Sequence, residues 1–262
     1  MPYHDEISLN RQTIVRILTA TAVFLLLAST AGQLAKYVLG HDTAYGLIHL
    51  FNVDDEGNVP TFFSSFLLLF ASLLLALITT LKRKSNDPRW RQWAMLSCAL
   101  LYMAVDEASH IHELLYKPAD WLLGSHLSQI ISTTWVIFGI AFVVAFALSY
   151  LKFFFSLPPK TQRQFFFAAA TFLVGAVGME LVGGFYSGSH GMHNLQYAML
   201  STVEEGLEMG GVIILINALL NYALDNYALR LSLRHCRERS QVMAPANRLG
   251  ESSQLQNSYQ SR

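Results

Sequence analysis

Six long apolar runs alternate with polar connections along this chain. They cover roughly Ile14–Leu39, Pro60–Leu81, Arg91–Tyr116, Leu127–Lys152, Gln164–Tyr186 and Leu195–Leu224. Each meets the length of about 20 residues that a helix needs to cross the hydrocarbon layer of a bilayer. None alternates strictly, and each is far longer than a barrel strand, so helix is the spanning state expected. The pattern predicts an all-α fold, a polytopic membrane helical bundle with six transmembrane helices in residues 1–228. A polar tail, 229–262, follows, and its Ser, Gln and Asn content predicts disorder. The first run is too long for the apolar core of a signal peptide. The connection from Gly40 to Val59 has room for a short interfacial helix, about Ala44 to Phe51.

Positive charge marks every second connection. Arg11 and Arg16 flank the start of run one. Lys82, Arg83, Lys84, Arg89 and Arg91 separate runs two and three. Lys152, Lys160 and Arg163 separate runs four and five, and Arg230, Arg234, Arg237 and Arg239 follow run six. The other connections hold little Lys or Arg. Basic loops stay in the cytoplasm, so both termini are expected there.

Composition agrees with a membrane chain: 53% of residues are hydrophobic and 14% charged, against about 25% charged in soluble proteins. Net charge is zero, so no nucleic-acid partner is expected; the partner expected is the lipid bilayer. Cys98 and Cys236 form no metal motif and are not expected to pair.

Ionisable residues inside spanning helices are costly and therefore informative. Run three carries Asp106, Glu107, His110, His112 and Glu113. Run five carries Glu180, and run six Glu204, Glu205 and Glu208. Residues three, four and seven apart share a helix face. Asp106, His110 and Glu113 form one such line, and Glu204 and Glu208 another. Packing runs three, five and six around a common site would turn all of them away from lipid. Glycines in runs five (175, 178, 183, 184) and six (206, 210, 211) would permit close packing, though glycine is common in any membrane helix.

That many carboxylates in a low-dielectric pocket need protons, basic partners or a metal ion. Runs three, five and six hold no Lys or Arg in their interiors. Glu107 and His110 have the Glu-x-x-His spacing of di-iron and di-manganese bundles. Glu180, Glu204, Glu205 and Glu208 could supply the accompanying carboxylates, and His193, with His190, could add nitrogen from the rim. The expected cofactor is a divalent metal ion, iron or manganese ahead of zinc. A lone Glu-x-x-His is a weak motif, and a single buried Glu such as Glu180 often only hydrogen-bonds a neighbouring helix. His112, His41 and His49 read as ordinary surface residues. Asp54-Asp55-Glu56-Gly57 reads as a solvated turn, because the calcium-loop pattern requires Glu where Phe63 stands.

Four functions are compatible with this pattern. The first is a metal-dependent oxidoreductase acting on a lipid-soluble small molecule. The second is a proton- or cation-coupled transporter, although no inverted repeat is visible. The third is a zinc-dependent membrane hydrolase: Asp106, Ser109 and His110 faintly resemble the alkaline ceramidase and progestin-receptor-like superfamily. Glu204 and Glu208 stand where that superfamily has two histidines. The fourth is a non-catalytic subunit of a membrane complex. Oligomeric state is not legible.

Three segments resemble, together, a group of uncharacterised bacterial multi-pass integral membrane proteins. They are Glu56-Gly57-Asn58-Val59-Pro60-Thr61-Phe62-Phe63-Ser64-Ser65, Asp106-Glu107-Ala108-Ser109-His110-Ile111-His112-Glu113, and Val203-Glu204-Glu205-Gly206-Leu207-Glu208-Met209. The resemblance implies a bacterial plasma (inner) membrane and transfers no activity.

Overall fold

The computed structural model describes residues 11–109, 111 and 134–228, and among these every regular element is helical. In chain order they are α1 (Arg11–Tyr37), α2 (Leu47–Phe51), α3 (Val59–Lys84), α4 (Trp90–Ser109), α5 (Thr134–Phe155), α6 (Pro159–Leu173), α7 (Glu180–His190) and α8 (Leu195–Ala223). A π-helical turn, Val174–Met179, joins α6 to α7. Among the described residues, four stretches are long and apolar enough to cross a membrane: Arg11–Tyr37, Val59–Lys84, Pro159–His190 and Leu195–Tyr227. Gly139–Phe155 is apolar but shorter. α4 is not among the four, since Arg91 and Gln92 at one end and Asp106 and Glu107 at the other dilute its apolar centre. The expected end of run three, the start of run four and the tail 229–262 lie outside the described residues.

The chain divides into two compact units, residues 1–220 and 221–262. The second is described only over 221–228, where Asn226 donates to the Tyr222 carbonyl (2.8 Å). Everything below concerns the first.

Local chemistry sets the helix ends. The Asn58 side chain caps α3 by accepting from the Thr61 N–H (3.2 Å), Pro60 occupies the first turn, and Lys82, Arg83 and Lys84 fill the last. A free side-chain oxygen before the helix and cations at its end both complement the helix dipole. Asn194 caps α8 in the same way, accepting from Tyr197 N (2.9 Å). Between α1 and α2, Ala44 (φ 41°) and Tyr45 (φ 58°) adopt left-handed backbone. That conformation costs roughly 1–3 kcal/mol per residue for side chains with a β-carbon.

α3 and α4 are bound by reciprocal serine bonds. Ser72 Oγ donates to the Ser97 carbonyl (2.7 Å) and Ser97 Oγ to the Ser72 carbonyl (2.9 Å). Ser65 Oγ donates to the Ala104 carbonyl (2.7 Å). Pairing 72 with 97 and 65 with 104 makes the helices antiparallel and brings Asp106 and Glu107 to the first turns of α3. At the far end of α4, the buried Trp93 meets Phe153 and Phe165 edge-on, at 5.3 and 6.1 Å between centroids. Large apolar side chains such as Phe62, Leu73, Phe142 and Phe185 are exposed. A folded chain exposes that much apolar surface to lipid rather than water.

Two predictions follow from this packing. Ser72→Ala should destabilise the bundle by about 0.5–2 kcal/mol, the range for interhelical hydrogen bonds in membranes. Adding Ser97→Ala should cost less than the sum of the single changes, in a double-mutant cycle measured by unfolding in mixed micelles. The second concerns the turn after α3. Burial works to raise the Asp87 carboxyl, but Lys82 (2.8 Å) and the N–H and guanidinium of Arg89 (2.9 and 3.2 Å) outweigh it and hold it at about 2. The depressed value stabilises the fold fully above the ordinary 3.8, and this is lost as pH falls toward about 2. Asp87→Asn should therefore lower the melting temperature at neutral pH, and the deficit should shrink across that acidic window.

Candidate functional site: an acidic cavity

The π turn decides how α6–α7 meets α8. A β-carbon at Gly175 would fall 2.9 Å from the Glu204 carbonyl oxygen and 2.9 Å from Glu208 Cγ; one at Gly211 would fall 2.7 Å from Phe172 N. The two backbones therefore touch, as small residues allow in membranes. Gly178 and Gly210 meet nothing nearer than 3.8 and 4.0 Å, so only some of the glycines serve this contact. π turns insert an extra residue and recur at functional sites. Here Phe172, Ala176 and Glu180, each four apart, all face one cavity across the turn.

That cavity has a volume of about 360 Å³, within the range of about 300–1,000 Å³ for small-molecule sites. α8 lines it with Tyr197, Ser201, Glu204, Glu205 and Glu208, a single helical stripe. α4 adds Met103, Asp106 and Glu107, and α7 adds Glu180 at its first residue. α3 contributes Thr61 and Leu68, and the turn before it Val53, Asp54, Asp55 and Glu56. Nine carboxyl side chains thus share the wall, and none of its described residues is Lys, Arg or His.

The acids lie close enough to interact. Glu180 and Glu204 line the same cavity from α7 and α8. Glu205 and Glu208 on α8 line the same cavity as Glu107 on α4. Asp54 lies outside the spanning helices. Much of its surface is open, but open to the cavity, and the surrounding wall pushes its carboxyl above the ordinary carboxylate range. Burial is the largest cause; a hydrogen bond with Ser201 opposes it, the Asp55 charge adds to it, and the Lys36 ammonium opposes it.

Of the residues expected from the sequence, Asp106, Glu107, Glu180, Glu204, Glu205 and Glu208 all reach this cavity. His193 does not: it is exposed in the turn between α7 and α8 and is absent from the described wall. His110 and Glu113 lie outside the described residues. The Asp54–Glu56 turn, read from sequence as solvated, is instead part of the wall. Hydrogen bonds hold it there. Val53 N donates to Ser29 Oγ (3.2 Å), the Gln33 amide to the Asn52 side chain, and the Asn58 amide to the His49 and Asn52 carbonyls (3.0 and 2.6 Å). Ser29 and Gln33, four apart and buried on α1, were the available signal. Tyr197 and Ser201 were also missed, although they continue the α8 stripe. Among the described residues no three His, Cys, Asp or Glu side chains converge as they stand to hold one ion.

Fold and cavity together define an all-helical, lipid-embedded bundle around a shared acidic chamber. The chain belongs to the family of the domain of unknown function DUF8692, which matches residues 15–223 and so takes in every wall residue. No curated protein matches the chain, and no solved structure does.

The glycine contact is testable. Gly211→Ala and Gly175→Ala should each destabilise by about 1–3 kcal/mol through overpacking against backbone. Gly178→Ala and Gly210→Ala should change the unfolding midpoint little.

Proposed function

We propose that this is a bacterial inner-membrane protein with six membrane-crossing helices and both termini in the cytoplasm, and that it uses a divalent metal ion in the acidic cavity to act on a lipid-soluble substrate. An oxidoreductase is the reaction class that fits iron or manganese best. The observation that carries this reading is the nine carboxyls on one wall with no basic side chain among its described residues. So many acids at low dielectric take up protons or cations. The carboxylate-rich lining suits manganese, of the two metals expected. Leu68, Met103 and Phe172 give the same cavity an apolar side suited to a lipid-soluble molecule.

Two observations favour a site over a transport path. Trp93, Phe153 and Phe165 close the core at the far end of α4. The described acids outside the cavity, Asp42, Asp87 and Asp225, lie in connections or past the end of α8. Neither forms a continuation of the chamber through the bundle.

Detergent-purified wild type should retain manganese or iron through dialysis, and a Glu204→Gln, Glu208→Gln variant of equal helicity should lose most of it, by elemental analysis. Equal metal in the two would overturn the proposed ligands. A metal-free wild type that moves cations across vesicles would replace this reading with transport.

A further inference from the structure

The chain after α1 does not leave along the helix axis. It turns back. A β-carbon at Gly32 would lie 3.6 Å from Ile48 Cα, so α2 rests against the last turns of α1. Val53 is bonded to Ser29 and Asn52 to Gln33, and the Phe51 ring meets Phe24 edge-on at 6.1 Å. Ser29 stands eight residues before the end of α1 at Tyr37, a descent of about 12 Å at the helical rise.

The segment has two unlike sides. Tyr45 is fully exposed, and Leu47 and Leu50 are 54% and 42% exposed. On α1 the exposed Phe24, Leu27 and Leu34 share one helix face, and Phe24 of that face meets Phe51 of α2. The opposite side carries Asp55, Glu56 and the buried Asn52 and Asn58. Its polar backbone is met from within: His49 and Asn52 carbonyls accept from Asn58, and the Asp55 carbonyl accepts from the Thr61 hydroxyl (3.3 Å). Non-helical backbone at membrane depth is tolerated where protein buries it or it lines a polar cavity. Both conditions hold here.

We propose that residues 44–58 form a re-entrant segment in the bilayer. Leu47 and Leu50 sit among lipid, continuing the lipid face of α1, with Tyr45 at the interface, while the inner side carries the acidic turn into the cavity. The left-handed backbone at Ala44 and Tyr45 reverses the chain back toward the membrane. Lipid is the occupant because the exposed side chains prolong a surface that already faces it.

Nitroxide labels test this, placed singly at positions 45, 47 and 50 of the full chain with Cys98→Ser and Cys236→Ser, in phosphatidylcholine vesicles. Labels at Leu27 and Asp42 give the lipid and water references. The expected result is that labels at 47 and 50 collide with oxygen in preference to a nickel chelate, as at Leu27, with 45 between the references, as for a tyrosine at the interface. A chelate-dominated signal at 47 and 50, as at Asp42, would overturn the proposal. The readout involves no metal in the cavity, so failure of the metal reading would leave this result standing, and the reverse.

Discussion

Carboxyl groups buried in a helical bundle cannot all remain charged, and the remaining structure is arranged around that constraint. Nine of them line one chamber, supplied by α8, α4, α7 and the turn before α3. Lipid would be the worst surroundings for these groups, and water the best. The bundle gathers them along one wall, where a single proton or counter-ion can offset the charge of several neighbours. Convergence lowers the cost of burial only where the cavity can take up positive charge.

Bringing the acids to one height needs two kinds of close helix contact. Between α3 and α4 the contact is polar: serine hydroxyls bond to backbone carbonyls across the interface and fix the axial register. Asp106 follows two residues after Ala104, so that register also sets its level. Between α6–α7 and α8 the contact is steric. Gly175 lies against the Glu204–Glu208 turn, and Gly211 lies against the Phe172 backbone. Side chains at these positions would separate α7 from α8 and carry Glu180 away from Glu204. In both cases the residues that matter are small, and their effect on the site is through distance alone.

Much of this was legible in the sequence. Hydrophobic runs gave the helices, and the cost of Glu107, Glu180, Glu204, Glu205 and Glu208 in such runs implied that they meet. Spacing gave the α8 stripe from Glu204 to Glu208. What escaped was whatever depends on a partner distant in sequence. Asp54, Asp55 and Glu56 have the composition of a solvated turn, and only Ser29 and Gln33, 24 and 19 residues away from their partners Val53 and Asn52, draw that turn inward. Which glycines carry the close helix contact was equally hidden: Gly210 and Gly211 are adjacent in sequence, yet a β-carbon at Gly210 would meet only Thr171 at 4.0 Å, while one at Gly211 would fall 2.7 Å from the Phe172 backbone. His193 shows the converse. Its nearness along the chain to α8 suggested a ligand, yet α8 begins after it and its stripe points elsewhere.

The turn before α3 links the two sides of the molecule. Its acids belong to the cavity, and its neighbours Leu47 and Leu50 belong to the exposed apolar surface. Hydrogen bonds run between them: His49 pairs with Asp55 at 2.7 Å, and its carbonyl accepts from Asn58, the α3 cap. The residue that starts a spanning helix thus also anchors the acidic wall.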